Sequence, residues 1–280
     1  MGRKTEISNL LAKLPRLGVG VSYRSHYHDQ LLQHQSDVDF VEVIADDYLF
    51  APADKLDELE RLTEHFTVIP HALNLSLGSA DGVSEDYLIQ VSRLVRQLHP
   101  PWWSEHIGYT RAGGIEIGQP APLPFTREAI DVVARNMVTV RRKIAAPVIL
   151  ENVDHKFDVP GGEMPENEFV NELLGWGGCG MLLDVSSFYS HHVDRGRDPY
   201  ESIRQLPLDR IVQVHMTDDS SDEHNGQDRR DVWKLLEAVI AAAPVRGIVL
   251  EQNDKFSSVE GIIDSVAKAR ELGMRHDRWN

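Results

Sequence analysis

RIVQVHMTDDSSDEHN, residues 210–225, is the stretch on which the fold turns. Ile211, Val212 and Val214 make an apolar run that stops at His215, and the chain then opens into Asp218, Asp219, Asp222, Glu223 and His224. An apolar strand that ends in an imidazole and gives way to an acidic loop is how a parallel barrel presents a metal site at the C-terminal ends of its strands. One buried histidine at a strand end more often packs in a core, so the other strands must end alike for the reading to hold.

Outward from it, short apolar runs rich in β-branched residues alternate with helical patterns. The runs fall at 17–22, 39–44 (DFVEVI), 67–69 leading into His71, 102–107, 147–153 (PVILENV), 181–185 and 247–252 (GIVLEQ). Helices are expected over 28–35, 55–65, 85–98, 166–174, 198–206, 229–242 and 259–272. Another begins at a Thr126 cap and buries Ile130, Val133, Met137, Val140 and Ile144. The segment 113–124, with its glycines and prolines, reads as an irregular loop. Eight strands with eight helices predict an α/β fold, the TIM (β/α)8 barrel, as one domain over residues 1–280. An open doubly wound sheet shares the alternation, but its GxGxxG fingerprint is absent.

Composition narrows the function. Hydrophobic residues at 41% supply a sizeable core, and no apolar run approaches the roughly 20 residues that span a bilayer. The basic start, MGRKTEISNLLAKLPRLG, lacks an apolar core followed by a cleavage site, so a cytoplasmic protein without a membrane partner is expected. The formal charge of −15 argues against a nucleic-acid surface. A single cysteine, Cys179, excludes a disulfide framework and a cysteine-based zinc or iron–sulfur site. It lies ahead of a strand, at the wrong end of the barrel for chemistry. No GxSxG elbow, P-loop or HExxH is present.

The strand ends carry Glu42, His71, Glu105 with His106, Glu151 with Asn152, Asp184, His215 and Glu251. Each alone has an ordinary structural reading. Together, ionised carboxylates at a barrel mouth repel one another and lose hydration at several kcal/mol each unless a positive charge compensates. No Lys or Arg is expected beside these ends, which leaves metal cations. Imidazoles mixed with carboxylates suit iron, manganese or zinc, and the donors exceed one coordination sphere, so two or three metals are expected. His191, His192 and Asp194, beyond the sixth strand, read as solvated or as supports for the ligands.

At these residues the chain resembles a known family, the multinuclear non-haem iron-dependent oxidative enzymes, TIM-barrel proteins that modify ribosomally made peptides. The likeness runs through LGVGVSYR, FVEV, the His71 segment ending LSLGS, SEHIGY, LENV, LLDVSSFY with DRGRDP, RIVQVHM, DEHN with DVW, and VLEQND. It implies that His71, His106, Glu151, Asp184, His215, Asp222, His224 and Glu251 bind metal, with Asn152 a further ligand. Glu151, Asp184 and His215 would be central to catalysis. Ser186-Ser187 stands where relatives often have Asn-Asn, Thr217-Asp218-Asp219 where Ala-Gly-His is usual, and Gln252-Asn253 where Trp-Asp is common. These departures fall around the third metal and the substrate pocket and point to a specialised branch.

The resemblance implies two or three irons of mixed Fe(II)/Fe(III) valence, dioxygen as co-substrate, and a cysteine-containing precursor peptide. It also implies a separate partner protein that recognises the leader peptide. The reaction would oxidise a peptidyl cysteine, with excision of its β-carbon, as in 3-thiaglutamate biosynthesis, among the products. The main rival is a divalent-metal sugar isomerase or phosphodiesterase on the barrel of xylose isomerase and endonuclease IV. A non-catalytic scaffold would show empty or rearranged strand ends.

Overall fold

The computed structural model describes residues 2–153, 159–217, 226–251 and 259–279. The strands, in chain order, are β1 (Gly18–Ser22), β2 (Phe40–Ile44), β3 (Thr67–His71), β4 (Trp103–His106), β5 (Gly108–Ala112), β6 (Ile115–Pro122), β7 (Val148–Glu151), β8 (Gly180–Asp184), β9 (Ile211–Thr217) and β10 (Gly247–Glu251). All but β5 and β6 close into a parallel barrel in the order β1-β10-β9-β8-β7-β4-β3-β2. This is the TIM barrel the alternation predicts. No helix among the described residues is long and apolar enough to cross a membrane.

The helices are α1 (Gly2–Leu11), α2 (His28–Gln33), α3 (Ala53–His65), α4 (Glu85–Leu98), α5 (Arg127–Lys143), α6 (Glu166–Gly177), α7 (Val185–Asp194), α8 (Pro199–Ile203), α9 (Gly226–Ala242) and α10 (Glu260–Arg275). In α5 the Thr126 side chain accepts from the Ala129 N–H at 3.1 Å, which satisfies an orphan donor of the first turn. Ile130, Val133, Met137 and Val140 are buried along one stripe, and Arg141, Arg142 and Lys143 meet the negative end of the helix dipole.

Four segments depart from expectation. The supposed loop at 113–124 contains a β-hairpin, because Gly113 and Gly114 adopt φ of 57° and 75°, the left-handed pair that a tight two-residue turn requires. Its flanking prolines obscure that signal in the sequence. A helix, α7, starts directly after β8, where the Asp184 side chain accepts from the Ser186 and Ser187 N–H groups. The expected helix over 198–206 shrinks to α8, capped by Asp198. Helix α1 had no counterpart in the sequence reading.

Inside the barrel lies an apolar floor of Phe40, Ile69, Trp102, Ile149, Leu182 and Val249, met by Leu11 and Leu14 from the segment around the end of α1. Two residues farther along the same strands come Glu42, His71, Ser104, Glu151, Asp184 and Glu251. Side chains at i and i+2 share a face of a strand, so the floor and the polar ring above it follow from one alternation. The Phe40 ring fills space left by glycines: a Cβ on Gly20 would lie 2.9 Å from two of its ring carbons and 2.6 Å from its carbonyl oxygen. Gly20→Ala should therefore destabilise the protein by about 1–3 kcal/mol in thermal or urea unfolding. Wild-type stability in that variant would show the floor to be loosely packed.

Candidate metal centre

Three neighbouring strands bring the first cluster together. His71 is in register with Ser104, and His106 with Glu151. The Nε2 atoms of His71 and His106 each lie 3.3 Å from Glu151 Oε2, with the two rings 4.8 Å apart. His71 Nδ1 is 2.8 Å from Ser104 Oγ. When Ser104 Oγ accepts a hydrogen bond from His71 Nδ1–H, the lone pair of His71 Nε2 faces inward. Burial holds His71 well below the usual histidine range and lowers His106 to about 4, so both rings are neutral at pH 7.

Glu151 is the odd member. Burial pushes its carboxyl up to about 8, with Glu251 and Asp184 adding repulsion against the pull of His215. Its Oε2 is buried without a hydrogen-bond partner. Two neutral imidazoles and a partnerless carboxyl oxygen thus converge, and all three offer electron pairs once Glu151 gives up its proton. A cation satisfies that arrangement, and the mix of nitrogen and oxygen donors fits iron, manganese or zinc.

The second cluster surrounds His215 on β9. Its Nδ1 lies 3.1 Å from Glu151 Oε1 and 3.4 Å from Glu251 Oε1, and its Nε2 lies 2.8 Å from Glu42 Oε1. Burial works against a charge on this ring, but Glu42, Glu151 and Glu251 outweigh it and hold the imidazole well above its usual range. Burial likewise opposes ionisation of Glu42, and His215 overcomes it, so Glu42 stays below the usual carboxylate range. Glu251 is raised, by burial first and then by Asp184 and Glu42. Glu151 therefore turns one oxygen to each cluster. Contrary to expectation a cation does reach this mouth: Arg24, just past β1, opposes the rise of Glu251.

The remaining nominated residues are placed differently. Asp184 caps α7, its Oδ1 accepting from Ser186 N and Ser187 N at 3.0 Å and its Oδ2 from the Ser187 hydroxyl. Its charge still bears on Glu151 and Glu251. Asn152 turns its amide to the Asp184 backbone, accepting from N at 3.0 Å and donating to O at 3.4 Å. Asp222 and His224 lie outside the described residues. Glu105 alternates away from Ser104 and His106, and its Oε2 accepts from Leu75 N at 3.4 Å. Burial holds its carboxyl well above the usual range.

His191 and His192 are buried on α7 instead of solvated; His192 Nδ1 sits 2.9 Å from Phe188 O, and His191 Nε2 3.6 Å from Glu166. Cys179 is buried and its thiol is pushed up to about 12, which leaves no thiolate for chemistry. Sequence reasoning missed two supports, Ser104 behind His71 and Gln213 behind His215, and it placed Glu42 at a strand end without its role behind His215. The available signal was the two-residue step, since Ser104 and Gln213 precede His106 and His215 on the same strand face.

Residues 18–274 match the family described as RiPP precursor modification enzyme MbnB/TglH/ChrH, whose substrates are ribosomally made precursor peptides. A UPF0276 protein of Rhizorhabdus wittichii is 31% identical over 269 residues, spanning 92% of this chain and 96% of its own. Among solved structures, 3-keto-D-glucoside 4-epimerase from E. coli superposes with a TM-score of 0.59 at 12% identity, over 91% of this chain and 99% of that one. D-psicose 3-epimerase from Clostridium cellulolyticum H10 gives 0.57 at 11% identity, over 92% and 98%. At such identity the likeness to the epimerases is one of fold alone. Nearly the whole barrel, including every strand that bears the clustered ligands, lies within the family match, and the chain belongs to the RiPP precursor modification enzymes of the MbnB/TglH/ChrH family.

Proposed function

We propose that this protein is an iron- and dioxygen-dependent enzyme that oxidises a cysteine residue of a ribosomally made precursor peptide, which a separate leader-recognition protein delivers. The observation that carries the reading is Glu151, one carboxylate with an oxygen turned to each of two donor clusters. His71, His106 and Glu151 would hold one iron; Glu151, His215 and Glu251 would hold a second, with Asp184 beside them. Asp222 and His224 belong to the proposed set, and Asn152 joins it only by giving up its bonds to the Asp184 backbone. Bound there, iron supplies affinity for a soft thiolate and the redox capacity to oxidise it with dioxygen.

The chain's own residues do the rest. Ser104 orients His71, Glu151 fixes the spacing of the two clusters, and the apolar floor beneath closes the site to water from below. The family's use of precursor peptides supports a peptide substrate. Excision of the cysteine β-carbon is one outcome within this reading.

Protein loaded anaerobically with ferrous iron should bind more than one iron per chain by elemental analysis and Mössbauer spectroscopy. Mass spectrometry of a cysteine-containing precursor peptide with enzyme, partner and dioxygen should then show an oxidised product. Saturation at one iron would defeat the two-cluster reading. An unchanged peptide together with turnover of a keto sugar would move the chain to the sugar chemistry of its structural neighbours.

A further inference from the structure

Beneath the second cluster runs a chain of buried hydrogen bonds that touches no solvent. Trp102 Nε1 lies 2.7 Å from Gln213 Oε1, Gln213 Nε2 lies 2.6 Å from Glu42 Oε2, and Glu42 Oε1 lies 2.8 Å from His215 Nε2. Trp102 and Gln213 are 0% exposed, and Glu42 and His215 1%, so bulk solvent does not stand in for a missing partner. From this geometry we infer that Trp102, Gln213 and Glu42 act as a tautomer lock on His215, keeping the proton on Nε2 and reserving Nδ1 for a metal ion. The inference rests on the proposed metal centre and says which atom of His215 serves it.

Donor and acceptor roles pass along the chain in one direction only. An indole nitrogen can only donate, so the Gln213 atom facing it must be the amide oxygen. That settles an orientation otherwise open to assignment. The other end of Gln213 is then an NH2 group, which can only donate, and Glu42 Oε2 must accept from it. Glu42 is left with Oε1 as an acceptor, and a carboxylate oxygen 2.8 Å from Nε2 requires a proton on that nitrogen.

Gln213 Nε2 also lies 3.1 Å from His215 Nε2, which raises the opposite assignment, with Nε2 accepting from the amide. That arrangement would set the Nε2 lone pair against the closer Glu42 oxygen, two electron pairs with no proton between them. It is the worse of the two. In the neutral ring the lone pair therefore belongs to Nδ1, on the side of Glu151 Oε1 and Glu251 Oε1, 3.1 and 3.4 Å away. A carboxylate behind a metal-binding histidine typically sets ring orientation and is worth about 10–100-fold in metal affinity. Here the carboxylate is itself oriented across the barrel by Gln213, which an indole at the floor holds in turn.

The lock makes an unusual demand on an isosteric substitution. In Glu42→Gln the Gln213 NH2 still needs an oxygen opposite it, so the new amide must turn its own NH2 toward His215 Nε2. That nitrogen becomes an acceptor, and the proton moves to Nδ1, where a metal should bind. Glu42→Gln should weaken zinc and ferrous binding by about 10–100-fold. Adding Gln213→Met removes the dictating donor and frees the amide to present its oxygen. The double variant should recover part of the lost affinity, whereas two structural lesions would add.

Nitrogen-15 NMR of zinc-loaded wild-type protein tests the inference without turnover, zinc being a diamagnetic probe. The expected spectrum has His215 protonated at Nε2 and metal-shifted at Nδ1, and metal-free Glu42→Gln should carry its proton on Nδ1. Zinc on Nε2 in the wild type, or a Glu42→Gln variant with Nε2–H and unreduced affinity, would overturn the lock. A wild type that binds neither zinc nor iron would overturn the metal centre itself, a result distinct from a loaded site metallated at the wrong nitrogen.

Discussion

Glu151→Gln should leave the barrel closed while abolishing turnover and most metal uptake. The amide matches the carboxylate in shape, but it cannot offer a charged oxygen to His71 and His106 on one side and to His215 on the other. Above about pH 8, where the wild-type acid is ionised, the metal-free variant should be more stable than metal-free wild type by about 1–3 kcal/mol, because a buried and repelled charge is gone. A salt-bridge role predicts the reverse, a loss of roughly 3–5 kcal/mol from breaking a buried pair. Glu251→Gln should act in the same direction but less strongly, since its side chain is 31% exposed. Thermal melts beside iron counts decide the matter. A Glu151→Gln protein that melts early yet keeps full iron would make this glutamate structural.

Metal uptake should also steepen with pH. Glu151 is raised from 4.5 to about 8, so below that pH a metal must displace its proton. Apparent affinity should fall about tenfold per pH unit below about 8, or about 100-fold over two units, and His215 adds a second displaceable proton. The stability of the metal-free protein follows the same two groups. A raised folded-state value means a contribution complete below the unfolded value, 4.5 for Glu151 and 6.5 for His215, and lost as pH climbs through the folded one. Metal-free protein should therefore melt at lower temperature on going from pH 6 to about 9, while metal-loaded protein resists the change. Calorimetry in buffers of different ionisation enthalpy counts the released protons. Affinity that is flat between pH 6 and 8 would show the ligands to be already deprotonated.

The barrel was legible because its strands are short, apolar and β-branched, and because Thr126 sits where a helix cap is needed. The first cluster was legible for a similar reason: His71, His106 and Glu151 each end a strand, and strand ends in a parallel barrel share one face. Glu105 shows the limit of that rule. It stands beside His106 in sequence, yet alternation turns it to the other side of the sheet.

Other features depend on partners far away in the chain. Nothing near Gln213 announces that it meets Trp102 and Glu42, and nothing near Asp184 foretells that it both caps α7 and bears on Glu151. The hairpin had a local signal in Gly113-Gly114, outweighed by the prolines around it.

The two-residue step from apolar floor to polar ring separates support from chemistry by about 7 Å along each strand. A substitution in the ring changes which electrons are offered, while the floor still closes the barrel. An insertion of one residue in a strand is another matter, because it exchanges inside for outside and destroys both at once. Such a molecule can drift in reactivity by point substitution while its strand lengths stay frozen. The place to look for divergence among relatives is thus the identity of the ring residues and the loops above them, and the place to look for constancy is the count of residues between floor and ring.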